Sequence, residues 1–401
     1  MKIKILILII VMLVVGGLDN SRELNDLAIV SGIAIDVGEN GKYKVTAQIL
    51  NSKKQGQGSS SGGASSKSSS VIEYRSEAAT IQLALRNMIY ESPKRLYLGH
   101  MELLIISEEI AESKLKSCLD FFVRDNEVNK EFLVVVARGC KSEDIIGIQT
   151  PLEQDPIKNI KESIITTSKY EGRTAKTDLA SSLGVLLEEG VDLTLPSVII
   201  QGDTKSGDKE ENIEQSNTPT KIIISDLAYF KDGYMKGYLK SKDNISYNMV
   251  RGKIKSTIVE TKDKKNKIAV EIYKLNSNVK PIYKDSKYEV DININCDGII
   301  TEFTQKADVT SEEELRKYED LVGGAIKKNI LEYVSNCQNV YCSDIVGYGA
   351  VFHKFLNKEY KKIQKDFGTE YFPKIKTNVK VNVNLDKEGG LVNNDKNEYK
   401  K

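Results

Sequence analysis

The strongest hydrophobic pattern lies in residues 95–137. Residues 101–107 form a short run rich in Leu and Ile, and 132–137 repeats that character, so both predict buried strands. Between them, 108–124 places Ile110, Leu115, Cys118 and Phe121 or Phe122 at helical spacing, with charges opposite. Two buried-type strands joined through one amphipathic helix predict a parallel crossover.

The flanking pattern fills in the rest. Residues 27–36 and 42–50 predict paired strands turning at Gly38-Glu39-Asn40-Gly41. Residues 52–70, mostly Gly, Ser, Lys and Gln, read as a solvated loop. Ser76 is placed to cap a helix carrying Ile81, Leu85, Met88 and Ile89, ended by Pro93. Helices are predicted over 140–146, 156–168 and 176–189, then a strand over 195–200.

Residues 202–219 carry almost no apolar side chains and mark a boundary or long loop. Beyond it, 221–231 and 234–239 predict strands turning at Asp232-Gly233, with a loop or short helix at 248–252. Further strands are predicted over 254–259, 267–274, 277–283 and 287–294; Val290, Ile292 and Ile294 share one face. A long helix spans 311–336, with Thr310 or Ser311 and Glu314 as a capping box. Gly323-Gly324 inside it cost about 1 kcal/mol each relative to Ala, which points to close backbone packing. Gly347-Tyr348-Gly349 makes a turn before a helix over 351–367, followed by a strand within 377–385.

These elements predict a multi-domain α+β fold with mixed and antiparallel sheets flanked by helices. The expected division is a signal segment over 1–17, an N-terminal α+β domain over 18–201, a linker over 202–219 and a C-terminal α+β domain over 220–385. That last domain allows two subdomains, and a polar tail follows over 386–401.

Charge changes the picture by exclusion. Lys+Arg of 58 against Asp+Glu of 57 in 401 residues argues against a dedicated nucleic-acid binder. At the N-terminus, Lys2 and Lys4 precede an unbroken apolar run over 5–15 and then Gly16-Gly17. That is the form of a secretory signal, too short to span a bilayer comfortably. Five cysteines form no CxxC pair. Cys337 and Cys342 lie five apart with no nearby His, which argues against zinc; an exported chain would permit a disulfide there, with buried thiols as the alternative.

Candidate chemistry is sparse. His100 and His353 are the two histidines and fall in different predicted domains, so no His-based acid–base pair is expected. No GxSxG, HExxH, P-loop or Rossmann fingerprint is present, and Glu108-Glu109 and Glu188-Glu189 read as solvated helix faces. Asp120, Arg124 and Asp125 either close a helix end with a salt bridge or present a partner-facing corner, and Tyr97, Gly99 and His100 are placed to order a loop beside it. No catalytic, metal or cofactor residue is assigned. An exported, near-neutral α+β chain of this kind reads as a binding or assembly module.

The order of short signals carries a resemblance: ELNDLAIVSGIAID with YKVTAQIL, then RLYLGH, LLIIS, LDFFVRDNEV and VVVARG, and later the GYG turn. Together they resemble the C subunit of the spore nutrient germinant receptors, the Ger(x)C lipoproteins, over about residues 14–385. The resemblance implies a noncatalytic subunit on the outer face of the spore inner membrane, working with membrane A and B subunits. A nutrient germinant would act through that complex. It also implies a lipidated cysteine near the N-terminus, whereas Gly17 and Leu18 stand where Cys and Trp would be, so a thioether lipid anchor is not expected. The alternatives are an exported solute-binding lipoprotein of a transport system and an exported enzyme acting on cell-wall polymer.

Overall fold

The computed structural model describes residues 26–51, 70–153, 155–209, 211–214, 216–263, 266–304 and 311–386. The expected loop over 52–70 and the N-terminal signal lie almost wholly outside the described residues.

Two sheets organise these residues. The first contains β1 (Leu27–Val37), β2 (Tyr43–Leu50), β3 (Val71–Ala78), β4 (Arg95–Tyr97), β5 (Leu103–Ser107), β6 (Leu133–Ala137), β7 (Thr194–Gln201), β8 (Lys221–Lys231) and β9 (Tyr234–Tyr238). Its order is β3-β2-β1-β5-β6-β7-β8-β9, and β4 pairs with the start of β1. β1, β5, β6 and β7 run parallel, while β2, β3, β8 and β9 extend the two sides in antiparallel fashion. The second sheet is β10 (Thr257–Asp263), β11 (Asn266–Lys284), β12 (Lys287–Phe303) and β13 (Lys376–Leu385), in that order. This is a multi-domain α+β fold.

The predicted crossover forms: β5 and β6 are parallel neighbours joined through helix. Because successive strand residues point to opposite faces, Leu104 and Ile106 enter one core with Ile110, Cys118 and Phe122. Leu103 and Ile105 enter another, under the helix Pro156–Tyr170. The helix expected over 108–124 is two, Glu108–Ser113 and Leu115–Arg124, broken at Lys114 (φ −131°, ψ 9°).

Four other local expectations change; the helix expected over 351–367 is divided, beginning as Tyr348–Phe355 and Asn357–Ile363. Ser76 lies inside β3, and the helix Ile81–Asn87 is capped by Thr80, whose hydroxyl accepts the Leu83 N–H. The strands expected over 267–274 and 277–283 are one, β11, which continues through a bulge at Tyr273 because both halves pair with β12. The residues at 248–252 end a full helix, Ser241–Val250.

The segment 202–219 carries two short helices, and its buried Asn212 donates to the carbonyls of Gln149 and Thr220. After it, β8 adds to β7 and β9 to β8, so the first sheet continues past the expected linker. Asp232 and Gly233 both adopt positive φ, the conformation of a type I′ hairpin turn.

The second sheet buries Val290, Ile292 and Ile294 against the helix Glu312–Asn336, which presents Leu315, Tyr318, Val322, Ile326 and Ile330. Ser311 caps that helix by accepting the Glu314 N–H at 3.1 Å. A Cβ on Gly323 would sit 3.5 Å from Val383, so this glycine faces β13, while Gly324 has open space.

Candidate functional site

The sequence-predicted residues separate into three places. Tyr97 ends β4, and its ring meets His100 edge-on at 5.6 Å. A Cβ on Gly99 would fall 2.5 Å from the Tyr97 ring carbon Cζ, so a side chain there would require the end of the Tyr97 ring to shift. His100 and Gly99 line a hollow of about 510 Å³ with Asn129, Glu131, Lys161 and Asp178. Arg124 donates to Asp120 at 2.7 Å on the exposed end of the helix Leu115–Arg124. Asp125 accepts the Glu127 N–H at 2.8 Å and lines a separate groove with Leu85, Ile89, Leu96 and Phe121. His353 packs against Tyr360, centroids 5.5 Å apart, far along the chain from His100.

A buried polar arrangement joins the segment before β7 to the start of a helix in the C-terminal half. After the helix Leu179–Leu187, the chain turns at Gly190 (φ +76°) and passes Asp192 into β7. From the other side, Cys342 in a left-handed conformation (φ +49°) leads through Ser343 and Asp344 to Gly347, where the helix Tyr348–Phe355 begins. The Asp192 carboxylate accepts the Ser343 hydroxyl at 2.8 Å and the Asp344 N–H at 3.0 Å, and the Asp192 N–H donates to the Asp344 carbonyl at 3.0 Å. Asp344 in turn receives the N–H groups of Gly347, Tyr348 and Gly349 at 2.8, 3.0 and 2.8 Å. A short Asp-to-Gly spacing thus satisfies the orphan donors of a helix start.

Electrostatics follow from burial. Desolvation pushes the Asp344 carboxyl up to about 7, against the pull of its three backbone donors, and also raises Asp192. Arg251 lies over the Tyr247 ring, 4.8 Å from its centroid, and donates to the Ile345 carbonyl at 3.1 Å; Thr194 and Tyr247 hydroxyls meet at 2.7 Å. Beside this joint lies an open cleft of about 440 Å³ whose walls include Leu193, Lys231, Asp232, Tyr360 and Phe367. The arrangement is a hydrogen-bonded connection between the segment before β7 and the start of the helix Tyr348–Phe355. Among the described residues, no group of three His, Cys, Asp or Glu side chains is placed to hold a metal ion.

All five cysteines are free thiols in this structure, with Cys337 buried and Cys342 exposed. Sequence reasoning singled out the Gly347-Tyr348-Gly349 turn but not Asp192, Asp344, Gly190 or Arg251. The one local signal was Asp344, three residues before Gly347.

Two helix-flanked sheets locked through buried carboxylates define the class, a multi-domain α+β protein with a polar joint. Comparison with known proteins gives the family. Residues 20–200 match the spore germination protein N-terminal domain, and residues 225–389 match the domain described as "Spore germination B3/ GerAC like, C-terminal". The chain belongs to the Ger(x)C family of spore germination proteins.

Its relatives include spore germination protein KC of Bacillus subtilis (strain 168), 27% identical over 98% of this chain and 97% of the relative. Spore germination proteins B3 and A3 of the same organism are 22% and 21% identical, over 86% and 96% of this chain. A solved structure, "Crystal Structure of the GerBC protein", superposes with a TM-score of 0.54 at 18% identity, covering 88% of this chain and 96% of that one; this likeness is one of fold.

Proposed function

We propose that the chain is the noncatalytic C subunit of a nutrient germinant receptor of bacterial endospores. It assembles with membrane A and B subunits on the outer face of the spore inner membrane, and the complex triggers germination. The observation that carries this reading is the full-length likeness to proteins named for spore germination, which extends through both matched domains. The joint at Asp192 and Asp344 fits a module that transmits force or position between partners, because coupling needs connected elements with defined contacts. The apolar run over 5–15 supports export, and Gly17 leaves no thiol for a lipid anchor.

The deciding experiment expresses the chain and its Gly17→Cys variant in a spore former lacking the resident subunit. Membrane retention and nutrient-triggered germination are then scored. Retention and rescue by either form support the subunit reading, and a difference between them measures the need for lipid. Failure of both forms to associate or to change germination would sink it.

The second reading, an exported solute-binding lipoprotein, draws on the open cleft beside the joint. A raised unfolding temperature with a small transport solute, with no effect on germination, would favour it.

A further inference from the structure

We infer that the face built from the helix Ile81–Asn87, the turn Met88–Tyr90 and β4 is the surface that lies on the lipid bilayer. This rests on the proposed membrane attachment and adds which side of the protein meets it.

Exposed apolar residues gather on this face. Tyr90 is 91% exposed, Leu83 48% and Ile89 44%, in one continuous stretch of chain. Ile89 also rims a groove of about 350 Å³ floored by Leu85, Leu96, Leu98 and Phe121. Leaving such side chains in water is unfavourable in proportion to their area.

The chain segment itself is basic. Residues 81–95 hold Arg86, Lys94 and Arg95 against the single acid Glu91, while Asp125 and Glu127 line the adjoining groove. Arg95 is paired with Glu127, whereas Arg86 and Lys94 make no ion pair among the described residues. An amphipathic Tyr flanked by long cations and branched apolar side chains is the composition found where protein meets the bilayer interface.

Chain geometry brings the bilayer to this side. Leu27, the first residue of β1, pairs with Arg95, five residues after Tyr90. Residues 16–26 separate the apolar run from Leu27, and a fully extended chain of that length spans at most about 40 Å. Whatever group at or before Gly17 enters the membrane therefore lies within about 40 Å of the start of β1, which pairs with β4. Ile258, 59% exposed on β10, belongs to the other sheet and offers a reference position.

The test uses the full chain bound to phosphatidylglycerol–phosphatidylethanolamine vesicles carrying a quencher in the acyl region. In a Cys140→Ser, Cys342→Ser background, Tyr90→Cys and Ile258→Cys are labelled with one fluorophore each. The expected result is about threefold or greater quenching at position 90 relative to 258. Ile89→Asp with Tyr90→Asp should weaken vesicle partition about tenfold while leaving thermal unfolding unchanged, since both side chains are substantially exposed. Flotation with equal quenching at the two positions would overturn this face alone. Loss of co-purifying membrane proteins in the double variant, with quenching at 90 no greater than at 258, would assign the patch to a protein partner and overturn it as well. No flotation of the full chain would overturn direct lipid contact and this face together, while retention through the A and B subunits is read separately in the spore fractionation.

Discussion

Gly190 and Gly349 touch backbone to backbone: a Cβ added to either would lie 2.5 Å from the Cα of the other. The Ala350 N–H donates to the Gly190 carbonyl at 2.8 Å across the same contact. Two residues 159 positions apart thus bring the two sheets together at a spacing that only glycine allows. Gly349→Ala should destabilise the protein by about 1–3 kcal/mol through overpacking. Gly190→Ala should cost at least as much, since its φ of +76° adds backbone strain. Urea unfolding of each variant checks this; unchanged midpoints would mean that the joint opens freely.

Asp344 gives the joint a pH response. Its carboxyl titrates at about 7 in the folded chain, raised from an ordinary 3.8, because it is buried. Between about pH 4 and 7 the folded state keeps a proton that the unfolded chain releases. The stability from this group is therefore fully present below pH 4 and lost as pH rises through 7. Asp344→Asn removes that titration, and below about pH 5 it costs about 1 kcal/mol or more because an amide cannot accept all three N–H groups. The stability gap between wild type and variant should shrink from pH 5 to pH 7.5. A gap that widens instead would show that Asp344 is charged, held so by its three donors.

The Arg124–Asp120 pair should matter little to folding. Both side chains are largely in water, where solvent and salt screen the pair. Arg124→Ala should leave the urea unfolding midpoint essentially unchanged. A germination defect in this variant at unchanged stability would identify a partner-facing corner.

Thiol accessibility should follow burial rather than spacing. Cys342 is exposed, whereas Cys118, Cys296 and Cys337 are buried, and burial pushes the Cys118 thiol up to about 12. A maleimide reagent should modify Cys342 rapidly in the folded protein and reach Cys337 only on unfolding. Modification of Cys342 only after reduction would reveal a disulfide.

The spacing of apolar residues by itself determined the crossover of β5 and β6, the hairpins, and the long helix, whose cap it narrowed to Thr310 or Ser311, because these depend on neighbours a few positions away. It also held the ordered signals that mark the family. What it could not hold were contacts whose partners are remote in the chain: Asp192 meets Ser343 across 151 residues, and Arg138 meets Asp226 across 88. The merging of two short runs into β11 and the addition of β8 and β9 to the first sheet are likewise matters of strand pairing, set by partners remote in the chain. Tyr97, His100 and Asp125 look like one corner in sequence, yet they part because β4 joins β1 while Asp125 caps a helix across a groove. Local spacing sets which face of an element is apolar; only the tertiary fold sets what that face meets, because burial is a property of the neighbour as much as of the residue.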